Sequence, residues 1–232
     1  MFKWLTKNNH ILYNPASELD LPRKERRLPK VILTADEAET ILNQPDTTSS
    51  IGKRDRAILE TFYSTGIRRA ELSALSLYDI DWERETLFVN QGKGKKDRVV
   101  PIGERALRWI ENYQQRIRPE LLVDPSETAL FLNYKGERLV PDGLSFLVRR
   151  YIEQAGIEKP GSCHLFRHTM ATAMLENGAD IRFIQEILGH EKLDTTQQYT
   201  HVSIVKLKEI HRATHPAAKL RRDREGEEVL DD

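Results

Sequence analysis

The sequence predicts an α+β fold, mostly helical, with a small antiparallel sheet of three strands. Three observations carry that expectation. Segments along the whole chain repeat apolar residues at three- and four-residue spacing, as one-sided helices do. Two short stretches of strand composition flank the glycine- and lysine-rich turn GKGKKD, which makes a hairpin. A third strand candidate, Ala129–Asn133, is closed by the turn Lys135-Gly136.

Taken in order, residues 1–20 hold an apolar cluster (Phe2, Trp4, Leu5, Ile11, Leu12, Tyr13), and Phe2–Asn14 reads as one helix before the Asn14-Pro15 break. Leu21–Lys30, with Pro22, Pro29 and five basic residues, reads as a linker. Thr34-Ala35-Asp36-Glu37 has the form of a capping box, in which the threonine and glutamate satisfy each other's backbone N–H groups at a helix start. Asp55–Ser64 is a strongly apolar helix stopped by Gly66. Helix resumes over Arg68–Leu77, and Thr86–Asn90 and Arg98–Pro101 supply the hairpin strands. Further helices are expected over Leu107–Ile117, Leu144–Ala155, His164–Glu176, Ile181–Leu188 and Val202–His211. The organisation expected is an N-terminal segment at 1–30, a main domain at 31–215 and a charged, flexible tail at 216–232.

Composition bounds the function loosely. The 232 residues hold 36 basic and 36 acidic side chains with 39% hydrophobic residues, which is ordinary globular material and not a disordered chain. There is no apolar run long enough to span a bilayer, and Met1–Leu5 lacks the apolar stretch of a signal peptide. The single Cys163 cannot form an internal disulfide and fits a reducing cytoplasm. Zero net charge permits a nucleic-acid partner without demanding one, although the first 30 residues carry seven basic against three acidic side chains.

Six residues narrow the function: Arg68 in TGIRRAEL, Lys93 in GKGKKDR, His164 and Arg167 in HLFRH, His190 in LGH, and Tyr199 in QQYTH. On a helix, His164, Arg167 and His168 share one face. The His164…His168 spacing also suits two metal ligands, but position 165 is leucine, not glutamate, and an arginine on that face repels a cation. An anion fits better, because a guanidinium offers planar bidentate donors to phosphate oxygens. Arg68 stands near a helix start, where the dipole favours anions, with Glu71 one turn on to orient it. GKGKKDR lacks the spacing of a nucleotide-binding loop; as a hairpin turn it could carry the Lys93 ammonium to a leaving oxygen. Gly189 ends a helix, so the chain can turn back and bring His190 and Tyr199 to one site. Two guanidiniums, an ammonium and two imidazoles are what would surround a phosphodiester attacked by a tyrosine hydroxyl.

The order Arg…Lys…His-x-x-Arg…His…Tyr, together with those local words, resembles the tyrosine recombinases, the phage integrase family, and its Xer-like branch in particular. The resemblance runs from Lys30 to His215 and implies that family's DNA breaking-rejoining catalytic fold, closing on duplex DNA. It implies that Tyr199 attacks the scissile phosphate to leave a 3′-phosphotyrosine and a free 5′-hydroxyl, in integration, excision or resolution of a mobile element or replicon. It further implies that Arg68 and Arg167 clamp the non-bridging oxygens, Lys93 is the general acid, His164 the candidate base and His190 a donor to the phosphate. Because the covalent link keeps the bond energy, no metal, cofactor or nucleotide is expected. The partners implied are double-stranded DNA and three further copies of the chain, a homotetramer on paired sites. A type IB topoisomerase and a catalytically silent DNA-binding remnant stand as the alternatives. Members of the family usually carry an N-terminal core-binding domain, of which residues 1–30 would be the remnant: its last helix and a basic linker. The expectation is therefore a catalytic-domain form with weakened hold on DNA.

Overall fold

The computed structural model describes residues 2–15, 17, 32–90, 97–189 and 204–216. The chain divides into two units, 1–30 and 31–232. In the first, helix α1 runs only from Phe2 to Lys7, not to Asn14. Asn8 and His10 donate their N–H groups back to Trp4 and Leu5, and Asn9 takes the left-handed conformation (φ 58°), which ends the helix. The Trp4 and His10 rings stack 5.6 Å apart. The linker expected at Leu21–Lys30 lies outside the described residues.

The second unit begins with α2 (Ala35–Leu42), capped as the sequence predicts: Thr34 Oγ1 accepts the Glu37 N–H while the Glu37 carboxylate accepts the Thr34 N–H. Helix α3 (Ser50–Thr65) is the central element. Its Ala57, Ile58, Leu59, Phe62 and Tyr63 are fully buried. Burying α3 also buries Asp55 and Glu60, so the fold supplies cations to both. Asp55 accepts from Arg54, Arg150 and the Tyr151 hydroxyl, and Glu60 from Arg56 and Arg105. The helix starts five residues earlier than its apolar run, because Ser49 caps it by accepting the Gly52 N–H.

Helix α4 (Arg69–Ala74) leads to an antiparallel sheet of three strands: β1 (Ile80–Asp81), β2 (Thr86–Val89) and β3 (Arg98–Pro101), in that order. Leu87 pairs with Val100 on the buried face, and Phe88 with Val99 on the more open one. The hairpin and the three-stranded count match expectation; the third strand does not. It is Ile80–Asp81. Ala129–Asn133 makes only isolated bridges, Ser76 to Ala129 and Leu132 to Arg138. The reason is competition for its backbone. Arg118 donates to the Ala129 carbonyl, Arg54 to the Leu132 carbonyl, and the Leu132 N–H goes to the Tyr113 hydroxyl. Those side chains occupy groups a ladder would need.

Helix α5 (Glu104–Asn112) passes through a π-helical turn (Tyr113–Ile117) into α6 (Arg118–Leu121). Then come α7 (Pro141–Gln154), α8 (Cys163–Glu176), α9 (Ile181–Leu188) and α10 (Ile204–Thr214). Helix α3 packs on α5 and α8, and α10 packs on β3, α8 and α9. No helix among the described residues is long and apolar enough to cross a membrane.

Candidate functional site

The site forms where the C-terminal ends of α3 and α9 meet the start of α4, strand β3 and α8. Helix α3 stops at Gly66, in the left-handed conformation (φ 58°), whose N–H still donates to Phe62. Only glycine serves there. Besides the strain of that conformation, a Cβ would stand 2.2 Å from Met170 Cε on α8. The close approach brings the Gly66 carbonyl to Arg167, whose Nη1 donates to it at 2.6 Å. Arg167 Nη2 donates to the Leu188 carbonyl at the end of α9. Helix α9 stops at Gly189, again left-handed (φ 63°), and Arg68 Nη2 donates to the Gly189 carbonyl at 3.1 Å. Two guanidiniums 99 residues apart in sequence are thus held by consecutive carbonyls, Leu188 and Gly189.

Arg68 is the residue before α4, and Glu71 lies in that helix's first turn. The carboxylate accepts the Arg68 N–H at 2.8 Å and Arg68 Nη1 at 2.7 Å. A third arginine, Arg98 on β3, completes the group. It grips Glu71 through both terminal nitrogens, at 2.9 and 2.8 Å, and donates from Nε to the Ile187 carbonyl. Glu71 therefore accepts four hydrogen bonds, the full capacity of a carboxylate. Burial would push its carboxyl up, but the hydrogen bonds from Arg98 and the Arg68 N–H, with the Arg98 charge, hold it down at about 2. Arg98 is the site residue the motif reading passes over. Its signal was the last letter of GKGKKDR, five positions after the lysine chosen there.

Burial lowers Arg167 to about 10, and repulsion from Arg68 and Arg98 adds to it against the pull of Glu71. It remains a cation at neutral pH, poorly solvated beside two like charges. Among the described residues three guanidiniums face one carboxylate, an excess of two positive charges that an anion would relieve. Arg68 is the most open, with 24% of its side chain exposed against 12% for Arg98.

On α8 the sharing of one face by His164, Arg167 and His168 is only partly realised. Arg167 is buried in the seam, while both histidines are exposed. Burial lowers His168, with His164 and Arg167 contributing. Among the described residues no group of three or more His, Cys, Asp or Glu is placed to hold a metal. Lys93, His190 and Tyr199 lie outside the described residues. The structure thus brings together Arg68, Glu71 and Arg167, adds Arg98, and sets His164 in the first turn of the helix that carries Arg167.

Residues 32–204 match the model of the phage integrase family. The chain is 55% identical to tyrosine recombinase XerC 2 of Ralstonia nicotianae over 222 residues, covering 96% of this chain and 64% of that relative's length. It is 40% identical to XerD of Pseudomonas putida, across 93% of the chain and 72% of the relative. Among solved structures, XerH recombinase bound to its difH substrate before cleavage superposes with a TM-score of 0.65 at 29% identity. That match covers 91% of this chain and 61% of the other. XerA recombinase superposes with a TM-score of 0.62 at 28% identity, covering 85% and 64%.

Proposed function

The chain belongs to the phage integrase family, and on that premise we propose that it is a site-specific tyrosine recombinase that cuts and rejoins double-stranded DNA. One observation carries the reading: Arg68 and Arg167 are placed side by side on the Leu188 and Gly189 carbonyls, in a centre with two excess positive charges. Such a centre suits a phosphodiester whose non-bridging oxygens gain charge during displacement. Among the described residues neither guanidinium spends all five of its N–H groups, so donors remain for those oxygens. The solved relative captured on its difH substrate supports duplex DNA as the partner.

In the proposed reaction the Tyr199 oxygen attacks the scissile phosphorus and the bond from phosphorus to the 5′-oxygen breaks. That oxygen leaves with a proton from Lys93. The product is a 3′-phosphotyrosine, which the 5′-hydroxyl of a partner strand attacks to reverse the step. His164 takes the tyrosine proton, which must depart because a free phenol has a pKa near 10. His190 donates to the phosphate, and Arg68 and Arg167 hold its oxygens in line. Glu71 orients Arg68. The two displacements exchange one phosphodiester for another, so the chain's own residues account for each proton moved.

The assembly proposed is a homotetramer on paired sites, formed in the cytoplasm. In the single chain α10 packs on its own core: Ile210 lies against it, and His211 and His215 donate to the Ser64 and Tyr63 carbonyls. Sedimentation should therefore show a monomer without DNA, and a stable DNA-free tetramer would count against this assembly.

The decisive experiment uses a nicked duplex carrying a site selected from a random-sequence pool by covalent capture with the wild-type protein. Wild type should form a protein–DNA adduct and Tyr199→Phe none. An adduct that survives in Tyr199→Phe overturns the nucleophile, and the absence of any adduct with wild type overturns the recombinase reading.

A further inference from the structure

We infer that Arg98 is a positioning residue of the recombination site, holding Glu71 so that Arg68 is presented to the phosphate and fixing the end of α9. The inference rests on the recombinase reading of the same site and adds a member that its motifs do not name.

Geometry carries it. Arg98 spends its fork on Glu71, one terminal nitrogen to each carboxylate oxygen, and its Nε on the Ile187 carbonyl. Each oxygen of Glu71 is shared: Oε1 between Arg98 and the Arg68 guanidinium, Oε2 between Arg98 and the Arg68 backbone N–H. Through Glu71, Arg98 is therefore linked to Arg68 on one side. At the same time it binds the carbonyl two residues before Gly189, which receives Arg68 directly. Arg68 is in this way held at two points, and Arg98 lies behind both. The fit at Gly189 agrees. A Cβ there would lie 3.1–3.2 Å from Cδ, Nε and Cζ of Arg98, so the guanidinium lies against bare backbone.

The chemistry says why a third arginine is useful although it does not face the phosphate. With Arg68 alone, the buried Glu71 would be held by one partner, and burial pushes a carboxyl toward its neutral form. A neutral Glu71 accepts fewer bonds and loosens Arg68. Arg98 keeps the carboxylate charged and in register. Its own side chain is only 12% exposed, against 24% for Arg68, as expected of a residue behind the reacting surface.

The test compares wild type, Arg98→Met, Arg98→Lys, Glu71→Gln and the Arg98→Met/Glu71→Gln double variant on the nicked duplex described above. Single-turnover adduct formation, DNA affinity and the carbon-13 signal of the Glu71 carboxyl against pH are measured. Arg98→Met should cleave about 10- to 100-fold more slowly, the cost of a displaced reacting group, a larger loss than its DNA affinity shows. Its Glu71 should titrate at higher pH than in wild type. Arg98→Lys keeps the charge but not the fork and should fall between the two. The double variant should lose less than the product of the two single losses, since Arg98 acts in part through that carboxylate. Wild-type rates in both Arg98 variants, an unmoved Glu71 titration, or multiplying losses in the double variant would each overturn the positioning role. Should Arg98→Met fail to fold, Arg98→Lys decides: a wild-type rate there removes the need for the fork. A wild type without any adduct sinks the recombinase reading instead, a different result from a Tyr199-dependent adduct that ignores Arg98.

Discussion

Two machineries share the last turn of α3, and they solve the same problem in different charge states, one neutral and one cationic. The Tyr63 and Ser64 carbonyls, left without helical partners, are taken by His215 and His211 from the C-terminal helix. Two residues on, the Gly66 carbonyl is taken by Arg167. The imidazoles are fully buried, stack with ring centroids 4.7 Å apart, and are pushed toward their neutral form by burial, with repulsion from Arg212 at His211 and from His211 at His215. The guanidinium side is cationic and cannot be otherwise at neutral pH. A helix C-terminus favours positive charge, so the charged partner is the natural one, and the neutral pair is what needs explaining. Its setting explains it. The two rings are packed against each other, and His215 also against Tyr63, where two adjacent charges would be desolvated together. Neutral donors hold α10 without demanding a counter-anion, whereas the arginine centre is left wanting one.

The largest effect expected is on the charged side. Arg167→Met should lower single-turnover cleavage by about 100- to 1000-fold, the usual loss when a preorganised donor to a developing oxyanion is removed. It should also cost about 1–3 kcal/mol in chemical unfolding, because the Gly66 and Leu188 carbonyls lose their partner. Near-wild-type cleavage by a folded Arg167→Met protein would mean that the residue is only a clasp between α3 and α9, like the histidines beside it.

Acid should separate the two regions without any substitution. His211 and His215 are depressed below their ordinary 6.5. Their contribution is therefore complete above about 6.5 and is lost as pH falls through the folded values, because the undocked state binds protons more readily. Glu71 is likewise depressed, to about 2 from 4.5. Its contribution is complete above about 4.5 and fades only toward about 2. Between those limits the histidine dock weakens while the arginine centre holds. Amide exchange, corrected for intrinsic chemistry, should rise over 204–216 as pH drops from 7 to about 5 and stay level over 68–74. Parallel loosening of both segments would show that the two ends of the comparison open as one unit.

The legibility of these regions in the sequence differs for a physical reason. Local signals were readable. The capping box at Thr34 and Glu37, the stop at Gly66, the stop at Gly189 and the 86–101 hairpin each depend on neighbours in sequence. Arg68 and Glu71 were readable as a pair because they lie three residues apart. What was missed depends on distant partners. Arg98 matters because Glu71 and Ile187 come to it, 27 and 89 residues away. Ala129–Asn133 has strand composition, yet three side chains from elsewhere capture its backbone. His211 and His215 look unremarkable until the end of α3, about 150 residues earlier, receives them. Helical spacing put His164, Arg167 and His168 together, but it could not say which of them the Gly66 approach would bury.

The smallest effect sharpens the neutral side. Outside the histidines, α10 is tied by Lys208 and Arg212 to Glu85, which stands before β2 in the left-handed region at φ 50°. Two influences oppose each other at that residue. The ion pairs are partly open to water, with 62% of the Arg212 side chain exposed, so they contribute about 0.2–1 kcal/mol. The backbone conformation costs a residue with a Cβ about 1–2 kcal/mol and costs glycine little. Glu85→Ala loses the pairs and keeps the strain, whereas Glu85→Gly loses the pairs and sheds it. Glu85→Gly should therefore be more stable than Glu85→Ala by about 1 kcal/mol in chemical unfolding. Both should raise amide exchange over 204–216 by the same small amount, with the difference from wild type shrinking at high salt. If Glu85→Gly proves the less stable of the two, the left-handed turn is not strained there. The tie between β2 and α10 would then rest on the carboxylate alone.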